Sequence, residues 1–296
     1  MAIPKYLKKG DKIGIVAPAR SISKEEIQFS IDTFKRWGLQ VVLGNNLFGT
    51  ENQYSGSDEQ RAKDLQKMLD DSSIKAIISA RGGYGTLRII DKLDFKKFLN
   101  NPKWIIGYSD ITVLHSHIHQ NFEVETLHAV MPIHFKRDAE SVEALKKALF
   151  GEKPAYLIPP HALNRKGVAE GVLVGGNLSL LYALKGSKSG ISTSGKILFI
   201  EDIDEYLYHI DRMIISLKRA GKLSNLKGLI VGGMTDMKDN KTPFGKTVER
   251  IISDAVKEFE YPVCFGFPAG HTEKNLALSL GRRAKFKVGE KVNLSF

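Results

Sequence analysis

Residues 103–112 read KWIIGYSDIT, and this stretch decides the fold. It predicts a short apolar strand that stops at Gly107, presents Ser109 and turns directly into an amphipathic helix. A strand that feeds a helix through a tight turn is typical of βα units, which build parallel sheets covered by helices. A serine at such a turn is exposed, and the following backbone amides point toward the group that it attacks. We therefore predict that Ser109 is a nucleophile.

The alternation of strands and helices continues on both sides of this stretch. Two of the helices begin with a capping box, in which Ser23 and Ser57 each precede a Glu or Gln by three residues. The alternation predicts a mostly parallel sheet flanked by helices, a flavodoxin-like arrangement. We assign residues 1–150 to this N-terminal α/β domain. Its predicted elements are strands at 12–17, 39–43, 74–79, 103–107 and 124–129, and helices at 23–37, 57–69, 86 onward, 111–120 and 138–150.

A second α/β domain is predicted for residues 168–296. It follows residues 151–167, which hold three prolines and several polar residues without periodicity and form the predicted linker. The tail from residue 277 alternates apolar and polar residues, which predicts added antiparallel strands. The other predicted elements of this half are strands at 171–177, 196–201, 226–231 and 261–265, and helices at 178 onward, 204–220 and 245–259.

The composition narrows the possible partners. The formal net charge of +11 over 296 residues favours acidic partners. Lysines and arginines are scattered, however, without the dense basic blocks typical of nucleic-acid binding, so we predict no nucleic-acid partner. There is no run of about 18 apolar residues, so no membrane span is expected. Residues 5–19 fit a first strand better than a signal peptide, which predicts a cytoplasmic protein, and the single cysteine, Cys264, excludes an internal disulfide bond.

A serine nucleophile needs a base, a carboxylate that orients the base, and amide donors for the oxyanion. His271 is the candidate base, because it follows a predicted strand and a glycine-proline turn that would place it at a sheet edge. Glu201 ends a predicted strand, where a carboxylate is rigidly presented. The amide of Asp110 is one candidate donor, and Gly82 or Gly83 is the other, because glycine lets the backbone approach a substrate closely. Three more carboxylates compete with Glu201 at this stage: Asp202, Asp204 and Glu205.

Three histidines follow the serine, at His115, His117 and His119, and the first and last share a helix face. A zinc site would need a third ligand and usually the glutamate of an H-E-x-x-H motif, which is absent. We therefore interpret these histidines as part of a helix face and predict no metal. The sequence also lacks G-x-x-x-x-G-K-[ST] and a complete G-x-G-x-x-G, so no nucleotide cofactor is expected.

Six short motifs together resemble the LD-carboxypeptidase family, serine peptidases that include murein-recycling enzymes and microcin-immunity relatives. Each motif is a weak signal alone. All six in this order and spacing form a specific signal that covers nearly the whole chain. The motifs are GIVAPA at 14–19, ARGGYG at 80–85, GYSDIT at 107–112, GGNL at 175–178, FIED at 199–202 and GFPAGH at 266–271.

The resemblance implies a catalytic triad divided between two α/β domains, with the active site between them, in agreement with the predicted linker. It selects Glu201 among the competing carboxylates. Members of the family are commonly homodimers, so a homodimer is expected. The residues that the resemblance assigns are Ser109, Glu201 and His271 as the triad, the amides of Gly83 and Asp110 as the oxyanion hole, and Asn177 as a substrate-binding residue.

The reaction implied by the resemblance is hydrolysis, without metal or other cofactor, of the bond between an L-centred diamino acid and a terminal D-alanine in murein tetrapeptides. It would pass through an acyl-enzyme on Ser109. Within the family, the alternative is a microcin-immunity-type peptidase that cleaves a peptidyl-nucleotide antibiotic, which aromatic residues lining a nucleobase pocket would favour. An α/β-hydrolase esterase conflicts with Ile111, which stands where the G-x-S-x-G elbow needs its second glycine. A non-catalytic two-lobed ligand-binding protein would not need the three triad residues.

Overall fold

The computed structural model describes residues 1–296 and shows two β-sheets with helices packed against them. The strands are β1 (Lys12–Val16), β2 (Gln40–Leu43), β3 (Ile74–Ser79), β4 (Trp104–Gly107), β5 (Thr126–His128), β6 (Ala155–Ile158), β7 (Gly167–Asn177), β8 (Ile197–Ile203), β9 (Gly228–Thr235), β10 (Val263–Cys264), β11 (Leu278–Leu280), β12 (Arg283–Val288) and β13 (Val292–Ser295). The helices are α1 (Lys24–Arg36), α2 (Asp58–Asp70), α3 (Thr86–Ile89), α4 (Lys96–Asn100), α5 (Thr112–Phe122), α6 (Ala139–Leu149), α7 (Leu178–Ala183), α8 (Leu207–Arg219) and α9 (Val248–Ala255). None of these helices combines the length and the apolar character needed to cross a bilayer.

The first sheet has the strand order β11-β5-β4-β3-β1-β2. Strands β1 to β5 are parallel, and the order 2-1-3-4-5 is that of flavodoxin-like sheets. Both faces are covered, because neighbouring residues such as Ile77 and Ile78 in β3 are buried in different core clusters. Helices α1 and α6 pack on one face, and α2 and α5 on the other. The predicted flavodoxin-like arrangement is confirmed, and burial on both faces explains the continuous apolar strands.

Both predicted capping boxes are formed. Ser57 Oγ accepts the Gln60 amide at 3.2 Å, and Gln60 Oε1 accepts the Ser57 amide at 2.9 Å. At the start of α1, Ser23 and Glu26 exchange the same two bonds at 3.3 and 2.7 Å. These bonds satisfy backbone donors that the first turn leaves without a partner, so the side chains fix where each helix begins.

The second sheet has the order β10-β9-β8-β7-β12-β13-β6. Strands β7 to β10 are parallel. The antiparallel strands predicted for the tail are present as β12 and β13, and β6 adds a further antiparallel pair. Helix α8 begins at Leu207, three residues later than predicted. The reason is Asp204, whose φ of 62° is in the left-handed region and cannot continue a right-handed helix.

The predicted linker, residues 151–167, contains a strand. Residues Ala155–Ile158 form β6, which pairs antiparallel with β13 at the edge of the second sheet. Pro154 and Pro159 stand on either side of it. Proline is tolerated at sheet edges, and four residues are too few to show a period-2 pattern, so sequence reasoning did not find this strand.

Strand β11 belongs to the second half of the chain but pairs in the first sheet. Leu278–Leu280 pairs antiparallel with β5 and completes the edge of the first sheet. Its neighbours β12 and β13 remain in the second sheet. The alternating pattern from residue 277 therefore predicts antiparallel strands correctly but does not reveal to which sheet each one pairs. The chain thus crosses between the two sheets a second time, directly after the loop that carries His271.

Candidate active site

The turn after β4 holds Ser109 in a strained conformation. Its φ is 61°, in the left-handed region that residues other than glycine seldom adopt. Ser109 begins the 3₁₀ turn Ser109–Ile111, which runs directly into α5. The turn requires a glycine at position 107, where φ is 155° and an added Cβ would lie 2.8 Å from Ile111 Cγ1. A strained strand-to-helix turn of this kind exposes a serine at the carboxyl edge of a sheet.

Two glycines approach this serine from the end of the neighbouring strand. Gly82 and Gly83 follow β3, and a Cβ added to Gly82 would lie 3.2 Å from Ser109 Oγ. Gly83 has a φ of 116°, and its backbone amide has no hydrogen-bond acceptor within the chain. The amide of Asp110 directly follows the serine. The Asp110 side chain is fixed by a 2.8 Å hydrogen bond that its Oδ2 accepts from the Thr86 amide. Backbone donors beside a serine are what an oxyanion hole requires.

His271 and Glu201 form a buried pair. Glu201 Oε2 lies 2.6 Å from His271 Nδ1 and also accepts the backbone N–H of His271 at 3.1 Å. The Glu201 side chain has no exposed surface, and that of His271 is 14% exposed. Gly270 permits this approach, because a Cβ there would lie 2.6 Å from the Glu201 side chain. The bond fixes the orientation of the imidazole and leaves Nε2 available to another partner.

The pKa of His271 reflects two opposing effects. Burial disfavours the imidazolium and lowers the pKa, whereas the charge and the hydrogen bond of Glu201 raise it. The net result is a pKa above the ordinary value of 6.5. Because only the neutral imidazole accepts a proton, the predicted role of His271 as a base requires a pH above this raised pKa.

The structure separates Glu201 from the carboxylates that compete with it in the sequence. The pairing of β8 with β9 changes register between Ile200 and Asp202, so the consecutive residues Glu201 and Asp202 are both buried. Glu201 is the carboxylate that bonds His271. The others have different partners: Asn177 and Ser179 for Asp202, Lys238 for Asp204, and His209 for Glu205.

Residues from both halves of the chain line one cleft of about 560 Å³. Ser109, Gly82 and Gly83 line it from the first half, and His271 from the second. The ring centroid of Tyr108 lies 4.9 Å from that of His271. The fold therefore brings the predicted nucleophile, base and one amide donor to a common space, with the predicted orienting carboxylate buried behind the base.

Asn177 does not line this cleft. It is 3% exposed, its Nδ2 donates to Asp202 Oδ1 at 2.8 Å, and its Oδ1 caps α7 by accepting the Leu180 amide at 3.2 Å. Its backbone amide donates to Thr112 Oγ1 at 2.9 Å. The substrate-binding role predicted for Asn177 thus finds no support in this geometry. The structure instead shows Asn177 connecting β7 to the first turn of α5, a link between distant segments for which the local sequence carries no signal.

The hydrogen bond between Thr112 and Asn177 links the serine turn to the strand beside Glu201, since Asn177 is the register partner of Glu201. Thr112→Val retains the side-chain shape but leaves the buried Asn177 amide without an acceptor, which costs about 1–3 kcal/mol of unfolding free energy. We also expect a lower kcat, because the helix after Ser109 loses this anchor. Denaturant unfolding and turnover of the same samples measure both effects. Thr112→Ser retains the hydroxyl and is the matched control; equal losses in the two variants would contradict the role of the bond.

The three histidines of α5 do not converge. His117 Nδ1 bonds Ser189 Oγ at 2.8 Å, and His119 Nε2 lies 2.8 Å from Lys196 Nζ. No group of three or more metal-ligating side chains occurs in the structure. The prediction that they belong to a helix face agrees with their separate partners.

His115 has a role that sequence reasoning missed. Its Nε2 donates to the Gly107 carbonyl at 2.9 Å, and its Nδ1 accepts the Thr126 hydroxyl at 2.8 Å. His115 is 1% exposed. It therefore supports the backbone two residues before Ser109. The local pattern could not reveal this, because the two partners lie on β4 and β5.

Two family models match most of the chain. The model described as LD-carboxypeptidase N-terminal domain matches residues 13–129, and the model described as LD-carboxypeptidase C-terminal domain matches residues 170–286. The chain belongs to the LD-carboxypeptidase family. This LD-carboxypeptidase is a serine-type hydrolase, as the resemblance implies.

Individual relatives agree with this assignment. The probable murein peptide carboxypeptidase of Bacillus subtilis (strain 168) is 38% identical over 295 residues, which cover 97% of this chain and 92% of the relative. The crystal structure of muramoyltetrapeptide carboxypeptidase from Oxalobacter formigenes has a TM-score of 0.87 at 26% identity and covers 96% of this chain and 98% of its own. The Microcin C7 self immunity protein MccF in complex with aspartyl sulfamoyl adenosine has a TM-score of 0.90 at 23% identity, covers 100% and 98% of the two chains, and shares the fold.

Proposed function

We propose that this LD-carboxypeptidase hydrolyses the L,D-peptide bond before the terminal D-alanine of murein tetrapeptides. The observation that carries the proposal is the buried Glu201–His271 pair, whose imidazole lines the same cleft as Ser109. A relative named as a murein peptide carboxypeptidase, alignable over nearly the full length, supports the substrate class. Two lines of support therefore agree: the site has the residues of a serine peptidase, and a full-length relative is named for murein peptides.

Our proposed mechanism begins when His271 Nε2 takes the proton of Ser109 Oγ and the oxygen attacks the carbonyl carbon of the diamino acid. The amides of Gly83 and Asp110 donate to the oxyanion. The C–N bond then breaks, His271 returns the proton to the leaving nitrogen, and D-alanine departs. Water, deprotonated by His271, hydrolyses the acyl-enzyme, and the proton returns to Ser109. Glu201 stabilises the imidazolium in both steps.

We also propose that the halves of the chain act as two domains with the site between them. Residues 1–150 carry the nucleophile, and residues 168–296 carry Glu201 and His271. Two sheets, each with its own core, support this division, and β11 is the one strand of the second half that pairs in the first sheet. The family resemblance is the support for a homodimer, and the fit of residues 5–19 to a first strand rather than a signal peptide is the support for a cytoplasmic location.

A peptidase of the microcin-immunity type is the second candidate function. Aromatic side chains at the cleft would favour it, and Tyr84, which is 44% exposed, lines the cleft with its ring 6.3 Å from that of Tyr54. Exposed rings of this kind can stack on a base. Cleavage of an aspartyl sulfamoyl adenosine substrate at a rate above that of the murein tetrapeptide would establish this second function.

One assay tests the main proposal. The protein is incubated separately with an L,D-tetrapeptide, a D,D-pentapeptide and a simple ester, and the products are identified by mass. We expect release of D-alanine from the tetrapeptide and at least 100-fold slower turnover of the other two, because a site built for one peptide geometry misplaces the others. Preferential cleavage of the pentapeptide or of the ester would contradict the proposed function.

A further inference from the structure

Two arginines lie at the point where the first sheet reverses its strand order. Arg20 follows β1 and Arg81 follows β3, and both side chains line the cleft that contains Ser109. In open α/β sheets, ligands bind outside the carboxyl ends of the strands at this reversal. The location alone therefore places both guanidinium groups where a substrate group is expected.

Neither arginine has an acidic partner. The Arg20 guanidinium makes no hydrogen bond or ion pair within the chain, and Arg81 Nη1 donates only to the Ser21 carbonyl, at 3.1 Å. Glu26, whose charge reaches Arg81, instead accepts the Ser23 amide at 2.7 Å. Burial first, and then the neighbouring positive charge of Arg20, lower the pKa of Arg81. Two like charges held together without a counterion form a site for an anion.

The acidic side chains of the cleft already have partners on their own half of the chain. Asp204 and Glu205 line it from the second half of the chain. Asp204 pairs with Lys238 at 2.6 Å, and Glu205 lies 2.5 Å from His209 Nδ1. The arginines of the cleft therefore lack an acidic partner, whereas its carboxylates already have partners, and a bound anion would be drawn to the arginines.

The unpaired arginines lie close to the reacting serine. Gly82 and Gly83 connect the two sites: a Cβ on Gly82 would lie 3.2 Å from Ser109 Oγ, and a Cβ on Gly83 would lie 2.2 Å from Arg20 Cδ. In a substrate with one residue after the scissile bond, the terminal carboxylate carbon lies at most about 4 Å from the attacked carbonyl carbon. An arginine side chain that crosses Gly83 therefore reaches the region of that carboxylate.

We propose that Arg20 and Arg81 bind the terminal carboxylate of the D-alanine that the enzyme removes. This inference rests on the proposed function and adds the group that makes the enzyme a carboxypeptidase. The planar guanidinium fork matches a carboxylate, and Arg81 is the fixed member because its side chain is half-buried and bonded to Ser21. A peptide that continues beyond this position presents a neutral amide there and leaves both charges unpaired.

Paired substrates test the carboxylate site directly. Acetyl-L-lysyl-D-alanine and its C-terminal amide are compared with wild type, Arg81→Gln and Arg81→Lys. We expect Arg81→Gln to lower kcat/KM for the acid by roughly 10- to 100-fold, mainly through KM, and to change kcat/KM for the amide by less than about twofold. Arg81→Lys restores part of the loss, because the charge returns without the fork. Equal losses with acid and amide, or no loss, would overturn the proposal.

A binding experiment separates this proposal from the proposed function. Calorimetry with the Ser109→Ala protein compares the affinities of the acid and amide dipeptides, with no turnover required. Tighter binding of the acid than of the amide supports the carboxylate site if adding Arg81→Gln abolishes the difference. Arg219→Gln, on the exposed last turn of α8, is the control and should leave the difference unchanged. Equal affinities overturn it. Absence of D-alanine release by wild type instead overturns the proposed function, whatever the calorimetry shows.

Discussion

Ser109→Ala is expected to lower kcat for D-alanine release by roughly 10⁴- to 10⁶-fold, as loss of a serine nucleophile does in other triads. The attacking oxygen is removed, and the remaining amides and histidine cannot form an acyl-enzyme. We expect the unfolding temperature to remain within about 2 °C of wild type, because alanine and serine have the same Cβ and bear the same strain at a φ of 61°.

Single-turnover assays with the murein tetrapeptide and thermal unfolding on the same preparation measure the two quantities. Ser224→Ala, on an exposed turn where Oγ bonds only the Gly221 carbonyl, is the control and should retain full activity. Turnover by Ser109→Ala at a rate close to that of wild type would exclude Ser109 as the nucleophile.

Glu201→Gln has the second-largest expected effect, a fall in kcat of roughly 10²- to 10⁴-fold. Glutamine retains an oxygen near His271 Nδ1 and the size of the side chain, so the change is chiefly one of charge. Without the carboxylate, the imidazolium that forms in each step is no longer stabilised. Glu170→Gln, on an exposed part of β7, is the control for loss of one negative charge. Activity of Glu201→Gln within tenfold of wild type would show that another group orients the base.

The pH dependence gives Glu201→Gln a signature that a merely structural loss would not produce. In wild type, kcat/KM falls as the pH drops through the raised pKa of His271, because the protonated imidazole cannot accept the serine proton. In the variant, the raising effect of the carboxylate is gone while burial still lowers the pKa, so the acid limb of the residual activity moves to lower pH. Profiles of kcat/KM from pH 4 to 9 on both proteins measure the direction of this shift. If the acid limb of Glu201→Gln lay at the same pH as that of wild type, the limb would report the titration of a group other than His271.

The sequence was sufficient to predict the parallel part of the fold, because its two signals, apolar strand runs and helix capping boxes, are local. The apolar runs of β1, β3 and β4 and the capping boxes at Ser23 and Ser57 each depend on residues a few positions apart. The turn at Ser109 is equally local, since it depends on a glycine two residues earlier. Its position at the cleft was therefore predictable, whereas its catalytic role stays a proposal.

What the sequence could not show depends on contacts between distant segments. The separation of Glu201 from Asp202 depends on a register shift between β8 and β9, which no spacing of residues encodes. The bond between Thr112 and Asn177 joins residues 65 positions apart. Arg20 and Arg81 look like ordinary surface arginines until the strand order places them in one cleft, where neither pairs with a carboxylate.

The return of β11 to the first sheet has a consequence for synthesis of the protein in the cell. At about 5–20 residues per second, a ribosome needs about 8–30 s to add the roughly 150 residues between β5 and β11. During this interval the nascent chain carries β5 as an uncovered edge, a template for pairing with another chain. A gene truncated between the two halves would therefore encode an aggregation-prone fragment rather than a small soluble one. Chaperones that act on nascent chains would have a target here until β11 emerges with roughly the last twenty residues.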